Sequence, residues 1–470
     1  MEVFKKFTPT KKVFLYFYSK TSDNKYQYIF IHNFFSKNKY SIISSDSTLL
    51  DNQPLFSIAR ALTNSFYKLL FEDNLSKIIK GEITDISSLN LPNDKPLPHY
   101  KLWQDPVMNY WLDKLSEQII QYDDIENTKI FFIELPLLDT KKLNCILEKN
   151  KFKYTFEYFT NETLPKDLLD TESLNLLSLL NLSQITEHIK STEEYLKTNK
   201  GDLFIILACK KFGKNEKGFF HFPSLFKGIY RRNKEDWRYL LVSKNEFPDE
   251  EILKKAKCLI IPGSELSVHD DLDFLRKTEK YMADLTKEIE EKGKYPNLKI
   301  LGICFGLEII MNGLGAELNK NEWNAKERFG PEIINLKDEF WKLDYVIKSG
   351  VQKRESLIIA EAHSEQIIKY PPQDNNYFTT IGSSDACECE VSIDKKGQIL
   401  MFQGHPEYSP GLSISRSVDM IMVFSGYKKE DINEESIKKF EEEYMNKEEN
   451  KNSNFNEWRA ICDSFMRHKN

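Results

Sequence analysis

From Asp202 onward the chain repeats one texture, in which short, wholly apolar runs are separated by helical stretches. LFIILA (residues 203–208), YLLV (239–242), CLIIP (258–262) and LKILGI (298–303) are rich in Leu and Ile and show no polar alternation. A strand with one wet face alternates apolar and polar side chains. Runs without that alternation suit burial on both faces, as in a parallel sheet covered by helices. Residues 273–292 read as a crossover helix between two such strands. This half is therefore expected to be α/β, and in open sheets of that kind ligands gather beyond the carboxyl ends of the strands. The turns after Ile261 and Ile303 are the places to look for chemistry.

The chain has 470 residues, too many for one core when domains usually run to about 100–200 residues. Strand-like stretches at 13–18, 26–32 and 40–44 open the first half, followed by a helical pattern over 55–70 and a loop with Pro92, Pro96 and Pro98. A further strand is expected at 129–135, ending at Pro136, and a helix over 164–198, stopped by Asn199, Lys200 and Gly201. The expected organisation is an α+β domain at 1–199, an α/β domain at 200–430 and a helical C-terminal extension at 431–470. Within that extension, the Lys-, Glu- and Asn-rich run 438–454 reads as a solvated helix with a frayed end.

Composition narrows the partners. Lys plus Arg number 66 against 72 Asp plus Glu, a net charge of −6, so no overall basic field exists to hold nucleic acid or an anionic membrane. No apolar run approaches the roughly 18 residues that a membrane span requires, so no membrane insertion is expected. Seven scattered cysteines, an odd number, argue against a disulfide framework and for a reducing compartment. The cytoplasm fits first. A mitochondrial address is the second option, because the start is Lys-rich and nearly free of acids but lacks Arg. Cys387-Glu388-Cys389 has no second Cys or His pair to support it, so no metal is expected.

Three short elements carry the chemistry. In LKILGICFGLEII, Cys304 stands between Gly302 and Gly306 at a strand-to-helix turn. This is the thiol counterpart of a nucleophile elbow, with small neighbours and a helix amino end that favours a thiolate. An isolated match of this kind would be read as a buried structural cysteine. The second element, FQGHPEYSP, holds His405 and Glu407 two residues apart. Pro406 favours an extended His405, which puts both side chains on one side, so that the carboxylate can orient an imidazole base. By itself that segment could equally be a surface turn. The third is the turn Pro262-Gly263-Ser264-Glu265, where backbone N–H groups at Gly263 and Ser264, with that of Phe305, could hold an oxyanion. A simple tight turn is the blander account of it. The elbow and the His-Pro-Glu run in one chain form a much stronger signal than either alone.

In this order, the turn, the elbow and His-Pro-Glu resemble the class I glutamine amidotransferase domain, over roughly residues 202–426. Within that class the chain is most similar to the free-standing gamma-glutamyl peptidase type, through NEFPDEE, IIPGS, LGICFG, FGPEI, the AHSEQI segment around His363, and QGHPEY. The resemblance implies a flavodoxin-like parallel sheet with helices on both faces and a small-molecule gamma-glutamyl substrate. It implies that Cys304 attacks the gamma-glutamyl amide, His405 protonates the leaving amine and Glu407 orients His405. Glu308 and His363 fall near the substrate by the same resemblance, and no metal or organic cofactor is implied.

Three positions depart from the family pattern. Leu307-Glu308 replaces the usual His-Gln, which puts an acceptor-only carboxylate where an amide is common. Glu265 adds an acid beside the expected oxyanion turn, and His363-Ser364-Glu365-Gln366 differs from the usual His-x-Asp-Glu. The chain has no P-loop or SGGxDS-like run, so ammonia transfer to a second site in cis is not expected.

Over residues 10–195 the first half is weakly similar to the Nudix family: residues 57–65 follow the Arg and apolar pattern of its helix, and LWQDP, FFIELP and a Leu-rich helix follow. Ala61, Asn64 and Ser65 stand where metal-binding carboxylates belong, so a Nudix fold here would be catalytically dead. An unrelated α+β domain is an equal reading. For the whole chain two functions compete. One is a cysteine hydrolase of gamma-glutamyl amide bonds; the other is a drifted pseudoenzyme that serves as a structural or interaction subunit, with protein partners in a larger assembly.

Overall fold

The computed structural model describes residues 12–20, 26–33, 39–41, 43–46, 120–122, 128–134, 154–159, 163–164, 169, 177, 182–198, 201–209, 222–232, 235–264, 266–320, 329–408, 428, 433, 435–439, 442 and 454–469. The chain divides into two compact units that part between Lys200 and Gly201.

In the N-terminal unit the strands are β1 (Lys12–Lys20), β2 (Tyr26–Asn33), β3 (Lys39–Ser41), β4 (Ile43–Asp46), β5 (Ile120–Tyr122), β6 (Thr128–Glu134) and β7 (Tyr154–Phe159). They form one sheet in the order β3-β2-β1-β6-β5, with β4 beside β1 and β7 beside β2. Only the β1–β6 pairing is parallel among these described strands. The single strand expected at 40–44 is split between β3 and β4. The helix expected at 55–70, with Ala61, Asn64 and Ser65, lies outside the described residues. A helix runs from Leu182 to Thr198, and its residues Leu182, Ile185 and Ile189, at i, i+3 and i+7, are buried along one stripe.

The C-terminal unit is built on a nine-stranded sheet. Its strands are β8 (Leu203–Ala208), β9 (Asp236–Leu241), β10 (Ala256–Ile261), β11 (Lys299–Ile303), β13 (Phe329–Leu336), β14 (Ser356–Ala362), β16 (Phe378–Ser383), β17 (Val391–Asp394) and β18 (Ile399–Phe402). β12 (Glu317–Lys320) and β15 (Glu365–Lys369) form a separate antiparallel pair. The sheet order is β14-β13-β16-β17-β18-β11-β10-β8-β9. From β18 to β9 every pairing is parallel, and from β17 to β14 every pairing is antiparallel. The sheet is therefore mixed, with a parallel half that the apolar runs announced and an antiparallel half that they did not.

Alternate residues of the parallel strands serve opposite faces, which is why those runs carry no polar position. Ile205 and Leu207 enter a core with Leu275, Met282 and Ile289 of the helix Asp273–Lys292 and with Phe305. That helix ends at Gly293, whose φ of 64° suits a residue without Cβ. On the other face Phe204 stacks on Trp237 and receives the Arg467 guanidinium 4.8 Å from its ring centroid, while Phe402 meets Trp458 edge-on. Both Arg467 and Trp458 belong to the helix Phe455–Arg467. That helix falls within the stretch expected as a helical C-terminal extension at 431–470, and it is packed into the core. Trp458, Ile461, Cys462 and Phe465 are fully buried, and each large apolar side chain so buried contributes about 1.5–3 kcal/mol. The expected frayed helix at 438–454 falls almost wholly outside the described residues.

Candidate active site

The candidate nucleophile arm is built from a strand, a strained residue and a helix. β11 ends at Ile303, and Cys304 heads the helix Phe305–Gly313 with φ 51° and ψ −109°. A non-glycine residue there costs about 1–3 kcal/mol and is held by its surroundings. The surroundings are visible. A Cβ on Gly306 would stand 2.1 Å from the Ile261 carbonyl oxygen, and one on Gly302 would stand 3.1 Å from Gly306. The Cys304 N–H donates to the Phe402 carbonyl at 2.7 Å, fastening the elbow to the neighbouring strand.

The candidate base arm leaves that neighbour. β11 and β18 are parallel partners with Ile303 opposite Phe402, so Cys304 and His405 emerge from the same edge of the sheet. The His405 N–H donates to the Ala360 carbonyl at 2.7 Å, bridging to β14. Its Nδ1 donates to Glu407 Oε1 at 2.9 Å, and the His405 and Glu407 side chains are both buried. With Nδ1 engaged by the carboxylate, Nε2 is left as the basic nitrogen. Tyr408 stacks on the imidazole, with centroids 4.0 Å apart and planes at 15°.

Sequence reasoning expected the helix amino end to favour a Cys304 thiolate. The structure reverses this. Burial pushes the thiol well above its ordinary range, Glu308 and Glu361 push it further, and the Phe305 N–H opposes them. A dipole at a helix end is weaker than loss of water around a buried sulfur with carboxyl neighbours. The resting group is a thiol.

Glu308 departs from expectation in the opposite sense. Burial, then the nearby Glu365, raises its carboxyl to about 8, against a hydrogen bond from Gln403 Nε2 at 2.9 Å. At neutral pH it is mostly a neutral acid, with one O–H donor and an acceptor oxygen. It therefore presents the hydrogen-bonding capacity of an amide rather than an acceptor-only carboxylate. Gln403, two residues before His405, thus links the base arm to the nucleophile helix.

The remaining expected residues also make contacts within the fold. Gly263 and Ser264 lie in the turn after β10, as foreseen, but the Ser264 hydroxyl donates to the Cys209 carbonyl at 2.7 Å and accepts from the Leu266 N–H at 3.1 Å. Glu265 lies outside the described residues. Phe305 is the first helical residue, and its N–H faces the Cys304 sulfur. His363 sits buried between β14 and β15. Its Nδ1 donates to the Glu365 carbonyl at 2.7 Å, and its Nε2 stands 3.3 Å from Glu361 Oε2. Glu365 in turn accepts from the Ser267 hydroxyl and the Val268 N–H. His363 thus acts on the site through an acid that sequence reasoning missed.

That acid, Glu361, is the buried neighbour of Gly404, where a Cβ would come 2.2 Å from Glu361 Oε1. Burial, then Glu332, holds its carboxyl well above the usual range, and Glu390 beside it is raised by burial and then by Glu361. Glu390 also accepts from the Ser384 hydroxyl at 2.7 Å. A glycine immediately before His405 was the one local hint of a close neighbour there. Among the described residues, no group of three or more His, Cys, Asp or Glu is arranged to hold a metal ion, and no helix is long and apolar enough to cross a membrane.

Residues 223–421 match the sequence model of the family described as glutamine amidotransferase class-I. This part of the chain is a class I glutamine amidotransferase domain. Gamma-glutamyl peptidase 4 of Arabidopsis thaliana is 26% identical over 270 residues, covering 56% of this chain and 94% of that protein. Gamma-glutamyl peptidase 2 of the same plant is 29% identical over 232 residues, covering 48% and 82%. Among solved structures, a glutamine amidotransferase from Thermotoga maritima is 17% identical with a TM-score of 0.37, covering 56% of this chain and 99% of that one. The amidotransferase domain matched by the family ends before the helix Phe455–Arg467. That helix nevertheless supplies Arg459, whose Nη2 donates to the Glu407 carbonyl at 2.9 Å, a contact no local motif announces.

Proposed function

We propose that the C-terminal unit hydrolyses gamma-glutamyl amide bonds of a small-molecule substrate through a thioester on Cys304. The observation that carries this reading is the convergence of two arms at one sheet edge: the strained Cys304 elbow after β11 and the His405–Glu407 pair after β18. In the reaction His405 Nε2 takes the thiol proton as sulfur attacks the amide carbonyl. The Phe305 N–H and the turn at Gly263 and Ser264 face the developing oxyanion. Collapse breaks the C–N bond, and the amine leaves with the proton from His405. Water then attacks the thioester with His405 as base, releasing glutamate and the thiol. Substrate must expel water and bring the imidazole to the sulfur, since the resting thiol is protonated.

Glutamine and a gamma-glutamyl dipeptide, each incubated with the full chain, test the reading by release of ammonia or free amino acid. Loss of that release in Cys304→Ala is the supporting result; no release from any gamma-glutamyl donor ends the reading. A second reading, a drifted subunit of a larger assembly, draws support from the carboxyl groups around Cys304. Size-exclusion chromatography of the endogenous protein separates the two, because the hydrolase reading expects a free chain or small oligomer and the subunit reading a stable large complex. The cytoplasm is the compartment we infer for either.

A further inference from the structure

The helix Phe455–Arg467 lies outside the residues that match the family, yet its first turns touch both arms of the site. Asn454, at its amino end, accepts the Ile358 N–H at 2.8 Å, and Trp458 Nε1 donates to the Ile358 carbonyl at 3.0 Å. Ile358 lies on β14 two residues from Ala360, whose carbonyl holds His405. Trp458 also packs edge-on against Phe402, ring centroids 5.5 Å apart, and the Phe402 carbonyl holds Cys304. Arg459, fully buried, donates from Nη2 to the Glu407 carbonyl.

A buried guanidinium is costly to keep unless its geometry is good and its donors are used. Arg459 remains charged at neutral pH. Burial brings it down to about 10, and Tyr230 and Glu407 resist that fall. The far end of the helix is anchored independently. Arg467 donates to both carboxyl oxygens of Glu235 and to the Tyr230 carbonyl, and Asp463 pairs with Arg232. The helix is thus fixed at a distance from the site, and Arg459 reaches inward from it.

We propose that Arg459 is a positioning residue for the His405–Glu407 pair, delivered by the C-terminal helix that packs behind both arms of the site. Its hydrogen bond fixes the Glu407 backbone, and its charge and that of Glu407 favour one another inside the core. Among the described residues, the titratable groups acting on Glu407 or on Arg459 include Cys304 on the nucleophile side and Tyr230 and Cys462 on the helix side. A shift of the carboxylate by about 1 Å would misalign the imidazole, and misplacement on that scale can lower a rate by roughly a hundredfold. The rate effect rests on the hydrolase reading; the positioning of His405 does not.

The test uses the full chain with ring-labelled histidine in four forms: wild type, Arg459→Met, Arg459→Lys and Arg232→Ala. The titration of His405 by NMR and the rate of Cys304 alkylation by iodoacetamide against pH are read on each, with circular dichroism to confirm folding. Arg459→Met should move the His405 titration and the alkylation profile, and should lower kcat on a gamma-glutamyl donor by about tenfold to a hundredfold with KM nearly unchanged. Arg459→Lys, which keeps the charge but not the fork, should recover part of each change. Arg232→Ala, which loosens the helix at its far end, should leave the titration as in wild type. If Arg459→Met does not fold, Arg459→Lys carries the same readouts. A wild-type titration and profile in any folded Arg459 variant overturns the proposal. If the wild-type chain turns over no gamma-glutamyl donor but the Arg459 variants still move the His405 titration, the hydrolase reading fails and the positioning role stands.

Discussion

The two arms of the site are built on different principles. The nucleophile arm is local: five consecutive residues, Gly302 to Gly306, make the strand end, the strained Cys304 and the helix start, and the glycines are required by contacts within 3.1 Å. The base arm is assembled from a distance. His405 hangs from Ala360, Gly404 abuts Glu361, and the Glu407 carbonyl is held by Arg459 more than fifty residues along the chain. A local arm concentrates its constraints in a few consecutive residues, with the Ile261 and Phe402 carbonyls as its outside neighbours. A distributed arm spreads its dependence over several elements, each adjustable by a little.

The largest effect separating the arms from their scaffold is catalytic. Replacing His405 by Ala should lower turnover of a gamma-glutamyl donor by roughly three orders of magnitude or more, since members of such a unit fail together. A residual rate within tenfold of wild type would mean that the base arm takes no part. Next come the glycines. Gly306→Ala forces a Cβ against a backbone carbonyl that cannot move without disturbing β10, and should cost about 3 kcal/mol or prevent folding. Gly404→Ala meets the Glu361 carboxyl end and an Ile359 methyl, both side-chain atoms rather than backbone, and should unfold at a temperature closer to wild type. Thermal unfolding of the two variants decides it, and equal losses would erase the contrast between local and distributed arms.

The pH dependence of stability is the next effect. Glu308 has a folded-state value of about 8, above its value in the unfolded chain. Its contribution is fully present below the unfolded value and is lost as pH rises through about 8, because the unfolded chain ionises first. Each unit of the difference is worth about 1.4 kcal/mol. Glu308→Gln should therefore lose less stability than wild type between pH 5 and pH 8, a difference read from denaturant midpoints at the two values. Parallel pH curves would show that Glu308 is charged throughout. The smallest effect is at Ser264. Removing its hydroxyl in Ser264→Ala breaks the bond to the Cys209 carbonyl and should cost about 1 kcal/mol. If turnover falls much further than stability does, the hydroxyl also meets substrate.

These contrasts explain what could be read from residues alone. The buried parallel strands announced themselves because burial on both faces leaves no polar position, and the helix Asp273–Lys292 followed from its period. The antiparallel strands β13, β14, β16 and β17 were missed, since runs such as SLIIAEA and FTTIGS mix polar and apolar residues without a clean signal. The Cys304 elbow and the His405–Glu407 hydrogen bond were legible because each is set by local spacing. Glu361, Glu390 and Arg459 were not, because each acts through a contact between elements far apart in sequence. The thiolate expectation failed for the same reason. Burial and neighbouring carboxyl groups are properties of the folded site, and they outweigh the helix end that the sequence displays.

The most direct test of the central claim is covalent. The full chain is treated at pH 7.5 with 6-diazo-5-oxonorleucine, a glutamine-like electrophile, and its adducts are located by peptide mass spectrometry. The two-arm account predicts modification at Cys304, protected by a gamma-glutamyl substrate and lost in His405→Ala, with the buried Cys258 unmodified. Labelling of Cys258 as readily as Cys304, or labelling of Cys304 that is indifferent to His405, would contradict it.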